Sequence, residues 1–182
     1  MYLYVIIGIV VVIMVFVFLT YNSFINLNSR VEEAFSTMDI YLKKRWDLIP
    51  NIVNTVKGYA KYEKDTLKEV INFRNNSYDD LNINDKIDIN NKLSQDISKL
   101  MILAEAYPEL KANENFKDLS KQLIIIEDDI ANARKYYNGT VRVFNNKVEM
   151  FPSNIVAKIF GYKTKKMFEV SMDERLNVKI KL

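Results

Sequence analysis

The stretch YLYVIIGIVVVIMVFVFL, Tyr2 to Leu19, contains no charged side chain, and the first one in the chain is Arg30. At ~1.5 Å of rise per residue, such a run spans roughly the 30 Å hydrocarbon core of a bilayer. Apolar residues near a helix centre each contribute about −0.3 to −0.6 kcal/mol to insertion, and no charge opposes them. Tyr2, Tyr4 and Tyr21 fall at the two ends, where amphipathic rings settle at headgroup level, with Phe16 and Phe18 close to the second end. The run therefore predicts a single transmembrane helix, residues 1–21. A cleavable signal would carry a basic leading segment and a small-residue cleavage site, and would be shorter. A buried core helix with Val and Ile on every side would have to be enclosed by protein all round.

No Lys or Arg precedes the span, whereas Arg30, Lys43, Lys44 and Arg45 follow it. That bias predicts an outside N-terminus, with the rest of the chain on the cytoplasmic side of the cell membrane. Among 182 residues there are only 4 glycines and 3 prolines, which argues for a few long helices over many short strands. The chain has no Cys and no His. Thiolate chemistry is thus excluded, as are the commonest general base, the commonest transition-metal ligand and the Glu-x-x-His pairs of helical di-iron sites. These absences argue against an enzyme and against a bound cofactor or metal. A net charge of +3 is too small to indicate nucleic-acid binding.

From Val31 onward the apolar residues repeat at sevens. Val31, Met38, Arg45, Ile52 and Tyr59 share one register, and Phe35, Leu42, Ile49, Val56, Glu63 and Val70 share its partner. This coiled-coil-like stripe predicts a long helix over about 22–74, packed against other helices. After a polar break, Asn84 or Asp85 is placed to cap a second helix carrying Ile89, Leu93, Ile97, Leu100, Ala104 and Tyr107, ended by Pro108. Asn113 is placed to cap a third, with Phe116, Leu123, Ile130, Tyr137, Phe144 and Phe151 in one register and Leu119, Ile126 and Ala133 in the other. A short apolar helix follows, Ile155 to Phe160, which Gly161 can close. The expected fold is all-α, an antiparallel up-and-down four-helix bundle over 22–162. The tail, 163–182, is basic and partly extended, since Val178, Ile180 and Leu182 alternate as a strand does.

The segment KKRWDLIPN, Lys43 to Asn51, interrupts the first stripe. Pro50 removes one backbone hydrogen bond and crowds a preceding carbonyl, which predicts a kink. Arg45 and Glu63 sit in the seam, too far apart along one helix to pair with each other. Each needs a partner from another helix, and Glu127, Arg134, Asn138 and Asn145 line one flank of the third stripe. Ion pairs there would fix helix register, because a buried charge left alone is costly. The alternative is a polar pocket near the kink, lined by Arg45, Asp47, Asn51 and third-helix residues, that holds a small anionic ligand. The adjacent carboxylates Glu32-Glu33 and Asp128-Asp129 point about 100 degrees apart on a helix and make no acid–base pair. From Lys158 onward seven Lys or Arg oppose three acids, a face for anionic lipid or an acidic partner, or simply a solvated one.

The stretches RVEEAFSTMDIYLKKRWDLIPNIVNTVKGYAKYE, LAEAYPELKANENFKDLSKQL and YYNGTVRVFNNKVEMFPSNIVAKIFGYK together resemble the LemA family of bacterial membrane proteins. The resemblance runs from Tyr21 to about Glu169 and is most specific at Asp47-Leu48-Ile49-Pro50-Asn51, Tyr107-Pro108 and Phe151-Pro152-Ser153-Asn154. It implies one N-terminal membrane helix followed by an antiparallel four-helix bundle, and it brings no catalytic residues. Gly139 stands where the family commonly has Asp or Ala, a change worth up to ~1 kcal/mol of helix stability.

Together these features predict a membrane-tethered scaffold or protein-interaction module. The first helix outruns the others, so Val31, Phe35 and Met38 are expected to present an apolar ridge, covered by a second copy or another membrane protein. The second reading is a sensor of a small anionic ligand near Pro50.

Overall fold

A computed structural model describes residues 1–60 and 78–168, and the described residues are helical with no strand. In chain order they form α1 (Tyr2–Tyr59), a 3-10 turn (Tyr78–Asp80), α2 (Ile83–Glu105), α3 (Pro108–Ala112), α4 (Glu114–Glu149) and α5 (Ser153–Phe160). Glu63, Val70 and the alternating residues of the tail lie outside the described residues.

Helix α1 is 58 residues long and joins the apolar run to the first heptad stripe without a break at residue 22. Its first part is long and apolar enough to cross a membrane. Val5 through Val15 show their side chains on all sides, as a helix solvated by lipid does, and exposure falls only near Val17 and Thr20. Helix α1 continues through Pro50 to Tyr59.

The starts and stops have local causes. Asn82, and not Asn84 or Asp85, caps α2: its Oδ1 accepts from the Asp85 amide at 3.0 Å, and Asp85 lies in the first turn, where negative charge favours the helix dipole. Helix α2 stops at Glu105, and Pro108, beyond that end, opens the five-residue α3, a helix the sequence pattern does not separate. Asn113 Oδ1 accepts from the Phe116 amide at 3.0 Å and starts α4. Gly161, at φ 75, closes α5, and the Tyr162 amide reaches back to the Ala157 carbonyl at 2.9 Å. A side chain at that φ is strained, so glycine suits the stop.

The chain divides into two compact units. The first comprises Met1–Thr37 and Lys135–Lys166. Its core holds Phe24, Val31, Ala34 and Phe35 of α1, Tyr137, Val141 and Phe144 of α4, and Val156 and Ala157 of α5. Phe24 meets Phe144 edge-on at 6.1 Å between ring centroids and Phe35 meets Tyr137 at 5.8 Å, so here α1 and α4 run in opposite directions. The segment after α5 has no regular structure and is pinned along α4. Asn145 donates to the Lys165 carbonyl at 2.9 Å and accepts its amide at 2.8 Å, and the Tyr137 hydroxyl donates to the Lys166 carbonyl at 3.0 Å.

The second unit comprises Met38–Arg134 and 167–182. Leu48, Ile49, Ile52, Val53 and Val56 of α1 pack with Leu93, Ile97, Leu100 and Ala104 of α2, Leu110 of α3, and Phe116 and Leu123 of α4. Asp39 meets Lys86 and Arg45 meets Asn90 and Ser94, so α1 and α2 advance in the same direction. The up-and-down order read from the sequence, in which the second long helix returns along the first, therefore does not describe this pair. Helix α4 does oppose α1, since Tyr59 bonds Asn113 and Arg45 bonds Glu127.

Candidate functional site

Among the described residues Arg45 is the largest fully buried side chain, 1% exposed, and it lies in the second unit. It occupies an apolar heptad position of α1, and the sequence around it holds the guanidinium in a ring of acceptors from two other helices. Its Nη1 donates to Ser94 Oγ at 2.8 Å and to the Glu127 carboxylate at 2.8 and 3.0 Å. Its Nη2 donates to the Asn90 carbonyl at 3.1 Å and to Asn90 Oδ1 at 2.6 Å. Asn90 Nδ2 and Ser94 Oγ are themselves tied back to carbonyls one turn earlier on α2, at Lys86 and Asn90. Arg45 Nε is buried without a partner. Glu127 is 36% exposed, so its carboxylate keeps part of its hydration while its inner oxygens meet the cation. This geometry spends the guanidinium on protein groups and leaves no fork open to a ligand.

A second polar cluster sits beside it in the same unit. Tyr78 is buried in the 3-10 turn and donates to Asp39 Oδ1 at 2.6 Å, and Lys86 donates to the other oxygen, Asp39 Oδ2, at 2.8 Å. Lys86 and Lys43 both stand over the Tyr78 ring, at 4.5 and 5.4 Å from its centroid, and Trp46 tilts against it at 5.4 Å. Burial, the Asp39 hydrogen bond and the Asp39 charge push the Tyr78 phenol far up, so it stays protonated and is no nucleophile. Sequence periodicity did not single out Asp39, Tyr78, Lys86, Asn90 or Ser94. The available signal was the row Lys86, Asn90, Ser94, polar residues four apart along α2.

The remaining candidates disperse. Asp47 is exposed and pairs weakly with Lys43 at 3.7 Å. Asn51 lines an open groove of about 400 Å³ with Asn54 and Thr55 of α1 and Asn115, Asp118, Leu119 and Gln122 of α4. Arg45 is not part of that lining, which holds one carboxylate and no cation, so the groove beside Pro50 does not suit an anion. Arg134 and Asn138 are half-buried on α4. Among the described residues no cluster of carboxylates gathers as metal ligands. Val31, Phe35 and Met38 are 2, 7 and 0% exposed, which corrects the expectation of an open apolar ridge. The first helix does outrun the others, but α4 runs to Glu149 and its second half packs on α1, where Tyr137 takes up Phe35.

A family profile described as the LemA family matches residues 34–182. Protein LemA of Metamycoplasma hominis is 24% identical over 158 residues, covering 86% of this chain and 72% of that protein. Magnetosome protein MamQ 2 of Paramagnetospirillum magneticum is 30% identical over 73 residues, 40% of this chain and 27% of its own length. Magnetosome protein MamQ of Magnetospirillum gryphiswaldense is 28% identical over 72 residues, 40% of this chain and 26% of its own. The matched part thus spans about a quarter of either magnetosome protein.

Proposed function

Because the chain belongs to the LemA family, we propose that it is a membrane-tethered helical scaffold, its residues 1–21 spanning the bilayer and its helices presenting a surface to other membrane components or to a second copy of itself. The observation that carries this reading is the division of labour along α1. One helix shows apolar side chains on all faces over its first part and buries a heptad stripe in its second. The first behaviour suits lipid and the second suits a packed bundle. The polar clusters support a structural role over a catalytic one, since Arg45 is consumed by its neighbours and Tyr78 is held neutral. The proposal includes a bend of α1 at Pro50 and a cytoplasmic position for residues 22–182, which follows from the cations after the span.

The test is proximity labelling in intact cells from a labelling enzyme fused to the C-terminus of the full chain. The control is the same apolar run fused to an unrelated soluble domain. A reproducible set of neighbours, or the chain itself, enriched over the control and labelled from the cytoplasmic side is the expected result. Equal labelling by chain and control would end the scaffold reading, and labelling only from the outer side would reverse the orientation.

A further inference from the structure

We propose that α5 and the turn before it form a second membrane contact, lying in the headgroup layer beside the end of the transmembrane run and favouring anionic lipid. The proposal rests on the reading of residues 1–21 as a membrane anchor, and every residue in it belongs to the first compact unit.

Position comes first. Tyr21 closes the apolar run, and its ring lies 4.6 Å from that of Phe160, the last residue of α5. Thr20 is buried at the same level, whereas Phe18 and Leu19 just before it are exposed. Just beyond, Tyr162 stacks on Phe24 at 4.8 Å, so the end of α5 is fastened to α1 within one turn of Tyr21. If Tyr21 marks the headgroup depth, α5 is held at that depth as well.

The outer surface of this element is apolar. Val156 and Ala157 face the core, while Met150, Phe151, Ile155, Ile159 and Phe160 are 62, 79, 51, 68 and 47% exposed. Phe151 continues the α4 stripe by spacing, yet α4 ends at Glu149 and the ring projects outward from the turn. Five large apolar side chains gathered at one short turn and helix are more than scattered exposure explains. Ile155 and Ile159 are one helical turn apart, and Lys158 lies between them in sequence and is exposed. This is the pattern of an interfacial helix whose lysine stem runs along the apolar layer and whose ammonium reaches the headgroups.

Charge selects the occupant. From Met150 to Lys163 the sequence contains Lys158 and Lys163 and no Asp or Glu, whereas Lys165 and Lys166 lie farther along α4, at Asn145 and Tyr137. Juxtamembrane lysines without acids attract anionic lipid within a Debye length of the surface. A second copy of this chain would bring the same cations to the same place, and like charges would oppose that pairing.

The experiment uses the full chain with its only tryptophan removed, Trp46→Phe, and one probe restored at a time: Ile159→Trp, Val10→Trp or Ile102→Trp. Each variant is reconstituted in vesicles of phosphatidylcholine with phosphatidylglycerol, carrying bromines either near the glycerol or deep in the acyl chains. The probe at position 159 should emit blue-shifted light and be quenched about twofold more by shallow bromines than by deep ones, as an interfacial residue is. The probe at 10 should show the reverse preference, and the probe at 102, on a side chain 70% exposed, should show no quenching. Replacing phosphatidylglycerol by phosphatidylcholine, or Lys158 and Lys163 by Gln, should weaken quenching at 159 and leave position 10 unchanged. An unquenched probe at 159 beside a quenched probe at 10 overturns this inference and spares the anchor. If position 10 is also unquenched, the anchor falls with it. Blue-shifted but unquenched emission at 159 that grows with protein density would assign α5 to a second copy and overturn the lipid contact.

Discussion

A guanidinium has five N–H donors in a fixed plane, and at Arg45 both terminal nitrogens are engaged while Nε has no partner. Removing one side of a buried pair costs about 3 to 5 kcal/mol, and the lower end applies because Glu127 can rehydrate. Arg45→Met should therefore lower unfolding free energy by roughly 3 kcal/mol, with the loss reduced in the double variant Arg45→Met/Glu127→Gln. Arg45→Lys should recover less than about half, since a point charge cannot serve Asn90 and Glu127 together. Denaturation in mild detergent, followed by the fluorescence of Trp46 beside Tyr78, reports the effect. A loss below about 1 kcal/mol for Arg45→Met would show that the guanidinium does not lock the helices. Arg45 was legible as a misplaced cation in an apolar register; Asn90 and Ser94 were not, because a neutral amide and a hydroxyl beside an apolar stripe are ordinary at a helix flank. Tyr137 gives a second residue-scale test. Burial lifts its phenol to about 12. A raised acid pKa means the neutral form is favoured by folding, so its contribution is complete below the unfolded value near ~10 and is lost as pH climbs through about 12. Tyr78, pushed up by burial and Asp39, acts in the same direction. Lys147, lowered by burial, acts oppositely, because stability gains as its charge is shed. Melting temperature measured beside tyrosinate absorbance should fall over the alkaline range, and Tyr137→Phe should flatten the fall. An equal fall in that variant would remove Tyr137 from the account.

At the scale of the element, caps and direction were read with unequal success for a physical reason. Heptad spacing tells which face of a helix is buried, and it found Leu93, Ile97 and Leu100 of α2 and Phe116, Leu123 and Phe144 of α4. It says nothing about which neighbour covers that face, so the shared direction of α1 and α2, set by Asp39 with Lys86 and Arg45 with Asn90, was beyond it. Caps are chosen by a local competition that several adjacent Asn and Asp residues can enter. Around α2 three such residues, Asn82, Asn84 and Asp85, precede the stripe, and only the geometry decides among them. Asn82→Ala should cost about 1 kcal/mol and Asn84→Ala close to nothing. Asn113→Ala should cost about 1 kcal/mol or more, since that side chain both caps α4 and holds the Tyr59 hydroxyl at 2.9 Å. Calorimetry or denaturant midpoints on the three variants check the order, and a loss at Asn84 as large as at Asn82 would contradict this cap. Gly161→Ala should cost ~1 to 2 kcal/mol because of its positive φ.

For the whole molecule the decisive balance is between the apolar run and water. Between Tyr2 and Leu19 the fourteen Val, Ile, Leu and Phe residues, at about −0.3 to −0.6 kcal/mol each, give an insertion free energy on the order of −4 to −8 kcal/mol. One lysine at the helix centre opposes this by roughly 2.5 to 3.5 kcal/mol, which leaves insertion favourable, whereas two bring the sum close to zero. Val10→Lys should therefore stay with the membrane pellet after alkaline carbonate extraction, and Val10→Lys/Val12→Lys should divide between pellet and supernatant. The released fraction should keep its packed core, because Ile52, Val53, Leu93 and Leu100 draw no burial from the apolar run. Its Trp46 emission and its melting should then match those of the anchored protein. The same double variant separates two ways of holding the bilayer. With the span weakened, α5 alone offers an apolar turn and two nearby lysines, Lys158 and Lys163, so what attachment remains should depend on anionic lipid and be lost at high salt. Attachment that persists in salt and carbonate despite both lysines would mean that the run from Tyr2 to Leu19 is not what fastens the protein to the membrane.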